Sequence, residues 1–74
     1  MKKISYSRHV KRRMKWRRIS EKEVKTVLSK PDKQEGTKYG RKNAQRAIGE
    51  RLIKVTFKEI NDKILIISAV DKRD

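Results

Sequence analysis

Around Pro31 the apolar residues of this chain change their spacing, from one every three or four positions to strict alternation. That switch commits the first part to helices and the rest to strands. Ser20-Glu21-Lys22-Glu23 is a capping box, in which the serine side chain and the glutamate three residues on satisfy each other's backbone N–H. Val24, Val27 and Leu28 then supply an i, i+3, i+4 face, and Pro31 stops the helix. An earlier helix is expected from a cap at Ser5 or Ser7 to about Arg17, with Tyr6, Val10 and Met14 as a narrow apolar stripe. Beyond Asp32 the pattern predicts a strand over Lys33 to Tyr39, a turn at Gly40-Arg41 and a strand over Ala44 to Glu50. Ile53, Val55 and Phe57 alternate with Lys54, Thr56 and Lys58 as a half-buried strand, and Asn61-Asp62 turns the chain. Lys63 to Val70 is almost continuously apolar, which predicts a central strand. Short connections favour antiparallel pairing. The expected fold is α+β, a single domain over residues 1–74. Two N-terminal helices pack on one face of a three- to four-stranded antiparallel sheet, leaving Arg46, Lys54 and Thr56 on the open face.

Length and charge narrow the function. Seventy-four residues suffice for one domain, and such a chain buries only about 60% of its unfolded surface. With no cysteine and one histidine, neither a disulfide framework nor a thiolate or histidine-cluster metal site is expected. The longest apolar run, Ile64 to Ile67, is far short of the ~20 residues of a membrane span. The basic Met1-Lys2-Lys3 start leads into no apolar stretch, so a soluble, cytoplasmic protein without a signal peptide is expected. Lys and Arg total 23 against 9 Asp and Glu, a net charge of +14, and residues 1–18 hold nine of the cations and no acid. Such asymmetry marks an interaction surface for a polyanion or an acidic protein.

Two constellations could use that charge. His9, Arg13 and Trp16 fall at i, i+4 and i+7, on one side of the first helix. An imidazole beside a guanidinium fork suits a phosphate, and an indole can stack on an unpaired base. The bland alternatives are a histidine serving as a structural hydrogen-bonder and a tryptophan filling the edge of the core. On the sheet, Arg46 and Lys54 sit on neighbouring strands and could form a cationic platform, unless they simply cover a solvent face. Arg12, Arg17 and Arg41 complete the candidate RNA-binding set. No paired carboxylates and no Gly-rich phosphate loop are present. What remains open to catalysis is metal-free cleavage of RNA by its own 2′-OH, which needs positioning, cationic stabilisation and one proton carrier.

The order Arg8-His9-Val10, Arg13-Met14, Arg18-Ile19-Ser20, Glu23-Val24 and Pro31 continues into Gly40-Arg41, Arg46-Ala47-Ile48-Gly49 and Leu52-Ile53-Lys54-Val55-Thr56-Phe57. From about Ile4 to Val70 this resembles a family of short bacterial and archaeal proteins classed as a domain of unknown function and grouped with the RelE-like toxins. The resemblance implies a RelE-like fold. It also implies a cofactor-free, metal-independent endoribonuclease that acts on RNA, on or off the ribosome, and is silenced by an acidic antitoxin protein. By this resemblance His9, Arg13 and Arg46 are the candidate catalytic residues, with Arg13 and Arg46 holding the scissile phosphate, His9 transferring the proton and Lys54 supporting the RNA. The competing expectation is a non-catalytic module that binds RNA or an acidic protein through the same surface.

Overall fold

The computed structural model describes residues 3–36 and 40–73. The elements are β1 (Lys3–Tyr6), α1 (Arg8–Trp16), α2 (Glu21–Ser29), β2 (Lys33–Gly36), β3 (Arg41–Ile48), β4 (Arg51–Ile60) and β5 (Lys63–Asp71). The expected extension of β2 to Tyr39, and Tyr39 itself, lie outside the described residues.

The sheet corrects the sequence-based fold. It has five strands in the order β1-β5-β4-β3-β2 and is mixed, because β1 pairs parallel to β5 while the other three pairings are antiparallel. The extra strand comes from residues assigned to the first helix. Ser7 is the cap, its hydroxyl accepting from the Val10 N–H at 3.2 Å, and the chain before it is extended. Ile4 and Tyr6 therefore pack against the core from a strand. Four residues carry only two alternations, too few for the pattern to separate strand from helix. Gaining β1 also moves β5, which is flanked by β1 and β4 while β4 holds the middle of the sheet. Its nearly unbroken apolar run fits a strand with a neighbour on either side, buried at Ile66 and Ala69 on the helix side and half-exposed on the open face.

Turn chemistry sets the register. Gly49 and Asn61 adopt φ of 62° and 54° at the first position of the two-residue loops closing the β3–β4 and β4–β5 hairpins, where such hairpins need a positive φ. Along β4, Ile53, Val55 and Phe57 are buried on the helix side together with Ala44 of β3 and Ile66 and Ala69 of β5. Val10 and Met14 of α1, Ile19 of the connecting turn, and Val24 and Val27 of α2 close the core over them. The α2 capping box forms as the sequence requires, with Ser20 Oγ accepting from the Glu23 N–H at 3.1 Å and Glu23 Oε1 accepting from the Ser20 N–H at 2.9 Å.

Two features bear on the site. Phe57 pairs with Ile66 and Thr56 with Ser68, so Ile67 is an extra residue, a β-bulge in β5. And β1 ends at the Tyr6–Ile66 pair while β5 runs on to Asp71. The outer edge of β5 beyond Ile66 therefore has no strand beside it, and α1 lies there instead.

Candidate nucleic-acid interface

Helix α1 has five cations in nine residues and no acid in its first turn. Only Val10 and Met14 are buried, so the helix is held by a stripe two side chains long and the rest of its circumference faces outward. His9, Arg12, Arg13, Lys15 and Trp16 line one continuous shallow surface on that outer side. Trp16 is 85% exposed, which removes the alternative of a tryptophan filling the edge of the core. Helical spacing explains it: Trp16 lies two residues past Met14, about 200° around the helix from the buried stripe. The largest apolar side chain of the molecule is thus held in water, ringed by positive charge.

His9 and Arg13 also line a second, narrower depression, together with Val10, Arg17 and the bulged Ile67-Ser68-Ala69 segment of β5. Arg17 is fixed there, its guanidinium donating to the Ala69 carbonyl at 3.2 Å. His9, Arg12, Arg13, Trp16 and Arg17 are therefore brought together on and beside α1.

The other sequence candidates lie elsewhere. Arg46 pairs with the buried Ile53 across β3 and β4, so its side chain shares the helix side of the sheet rather than the open face. There it donates to the Lys30 carbonyl at 2.7 Å and pairs with Asp32 at 3.5 Å, tying β3 to the end of α2. Because α1 packs on β5, two strands away, or about 10 Å, Arg46 does not share a site with His9 and Arg13. Its neighbour Lys54 pairs with Gln45 and Val70 and points to the opposite, open face. Arg41, opposite Lys58, occupies the same open face. The proposed Arg46–Lys54 platform does not form, because residues one step out of register point to opposite sides of a sheet.

A residue with no sequence signal holds the interface in place. Arg51, at the start of β4, donates to the Arg18 carbonyl at 2.9 Å and the Arg17 carbonyl at 3.1 Å. These carbonyls follow the end of α1, the Arg17 one part-buried, where the chain turns through Arg18 at a φ of 58°. The same guanidinium pairs with Glu23 at 3.1 Å and Asp71 at 3.3 Å. The Asp71 carboxyl is held below its ordinary value of 3.8 by the Arg73 backbone N–H, the Leu52 N–H and Arg51, against the opposite push of partial burial. These partners lie 20 to 34 residues from Arg51 in sequence, too far for any local pattern to reveal.

Among the described residues no group of three or more His, Asp or Glu side chains is placed to hold a metal ion, and no helix is long and apolar enough to cross a membrane. No curated protein and no solved structure matches the chain. A family model described as a domain of unknown function (DUF4258) matches residues 6–71. That match takes in everything from the end of β1 to the end of β5, including α1 and the bulged edge beside it, and the chain belongs to the DUF4258 family.

Proposed function

We propose that this chain binds single-stranded RNA through the outer face of α1, as a cytoplasmic domain of the RelE-like toxin kind. The observation that carries the reading is Trp16, 85% exposed amid His9, Arg12, Arg13 and Lys15. Cations alone would suit any polyanion. A solvated indole among them adds a surface on which an unpaired base can stack, the combination that single-strand binders use. Bases inside a duplex already stack on one another and offer the indole nothing.

Since Trp16 is the only tryptophan, its fluorescence reports the contact directly. Oligouridine should quench it, and duplex RNA of equal length should not. With Arg12, Arg13 and Lys15 each neutralising one phosphate, log K should fall against log salt with a slope of roughly −2. Arg46→Gln should leave that slope unchanged, since its guanidinium is spent on Asp32 and Lys30. Binding without quenching would move the RNA off α1. Binding only to anionic vesicles or to an acidic peptide would replace RNA as the ligand.

The catalytic version of this reading, a metal-independent endoribonuclease of a toxin–antitoxin system, rests on His9 and Arg13 lining one depression. Arg13 would hold the phosphate and His9 would move the proton as the 2′-OH attacks and the 5′-oxygen leaves. It predicts 2′,3′-cyclic phosphate ends formed in EDTA, free or on ribosomes, and a loss of at least about a hundredfold in His9→Ala, the usual scale of one general acid or base. Salt-sensitive binding without any cleavage leaves the chain a binding module. An acidic antitoxin would occupy the same cationic face.

A further inference from the structure

The edge of β5 that β1 leaves uncovered carries more than apolar packing. Lys72 donates its backbone N–H to the Leu52 carbonyl at 2.8 Å, which makes Leu52 and Lys72 a hydrogen-bonded pair. Bonded and non-bonded pairs alternate along an antiparallel ladder. Lys54–Val70 and Thr56–Ser68 are then bonded pairs as well, and at Val55–Ala69 the backbone groups turn away from each other. Both the N–H and the C=O of Ala69 consequently face the outer edge of β5. The Arg17 guanidinium, donating to that carbonyl at 3.2 Å, confirms the direction. Two residues earlier sits Ile67, the extra residue of the bulge, which has no partner on β4.

Against this edge α1 and its C-cap present His9, Arg13 and Arg17 at i, i+4 and i+8. The depression between them is lined by no carboxylate, and the Ala69 carbonyl on its wall already accepts from Arg17. Arg17 is pinned to the wall of the depression, whereas Arg13 is an exposed residue. An arginine fork, an imidazole and a main-chain N–H converging on one small hollow make an oxyanion receptor.

The geometry points to a seat for a single phosphate group between α1 and the bulged edge of β5, held by Arg13, His9 and the backbone N–H of Ala69. This deepens the RNA reading and rests on it for the source of the phosphate. Arg17 positions the wall and supplies a fixed positive charge at its rim, and the bulge leaves Ile67 out of the β4 ladder beside it. A base attached to a phosphate held here lies within one nucleotide of the indole, because Arg13 and Trp16 are neighbours one turn apart on the helix.

The test is an NMR titration of the labelled protein, first with inorganic phosphate against chloride at equal ionic strength. Oligouridine carrying either a 5′-phosphate or a 5′-hydroxyl follows. The Ala69 and Ile67 amide signals and the His9 ring signals should move saturably with inorganic phosphate. Arg13→Gln, a change at an exposed helix position, should weaken that response roughly ten- to a hundredfold, the worth of one charge-assisted bond. Arg46→Gln should not change it. Equal affinity for the two oligonucleotides identifies an internal phosphodiester as the natural occupant, and tighter binding of the 5′-phosphorylated one identifies a terminal phosphate. Movement confined to α1 signals, with Ala69 and Ile67 still, overturns the seat while leaving RNA binding intact. If phosphate moves Ala69 but RNA fails to bind, the seat stands and the RNA reading falls.

Discussion

Arg51→Ala should destabilise the domain by about 2–3 kcal/mol, lowering its melting temperature by roughly 10–20 °C for a chain of this size. The guanidinium serves four groups from three places at once: two carbonyls at the end of α1, the Glu23 carboxylate at the start of α2 and Asp71 at the end of β5. Truncation leaves both carboxylates half-shielded without their cation, and strands the α1 carbonyls at a turn already held in the left-handed region. Losing a partner in such a network costs more than a surface pair, which is worth about 0–1 kcal/mol. Arg51→Lys keeps the charge without the fork and should recover only part of the loss. Thermal unfolding of the three proteins checks this, and a difference under about 0.5 kcal/mol between wild type and Arg51→Ala would reduce the network to ordinary surface charge.

The same network gives a pH dependence with a definite sign. The folded-state pKa of Asp71 is lowered, so its contribution is fully present above the unfolded value, near 3.8, and is lost as pH falls through the lower folded value. Acidification below about pH 4 should weaken the wild type. Arg51→Ala should lose less on acidification, because Asp71 then has one fewer partner that favours its charged form.

How far the sequence could be read follows from the range of the forces involved. The α2 capping box, the apolar faces of α2 and β4 and the Asn61-Asp62 turn are local, each set by residues within a few positions, and each could be read directly. Strand β1 could not, because Ile4 and Tyr6 become a strand through β5, some sixty residues away, and nothing in four residues announces that partner. The misplacement of Arg46 has a different cause. Alternation fixes which residues of a strand share a face, but which face meets the helices depends on register between strands, and a one-step slip carries a side chain to the other side. For α1 the helical spacing of His9, Arg13 and Trp16 was legible and their side of the helix is shared. The exposure of the indole was legible too, since Trp16 lies about 200° around the helix from the Val10 and Met14 stripe that packs on the sheet. The edge at Ile67 to Ala69 and the Arg51 network are wholly long-range and left no trace in the pattern.

Trp16→Ala should weaken single-stranded RNA binding roughly five- to 150-fold, the equivalent of the 1–3 kcal/mol that one stacked base is worth, while leaving the fold as stable as before. The two halves of that expectation come from the same fact. A side chain 85% exposed contributes little to packing, so its removal should change stability by no more than about 0.5 kcal/mol. A contact made only with RNA is felt only when RNA is bound. The salt slope supplies a third reading, since the substitution removes no cation and should shift log K without changing its dependence on log salt. Because the variant has no tryptophan, affinity is followed by the anisotropy of a labelled oligonucleotide, with melting measured in parallel. Trp16→Phe keeps a smaller aromatic face and should fall between wild type and Trp16→Ala. A large drop in melting temperature would mean that the indole packs against the protein in solution. An unchanged affinity would mean that the cations of α1 hold their ligand by charge alone, and a polyanion without bases, such as heparin, would then compete as well as RNA of equal charge.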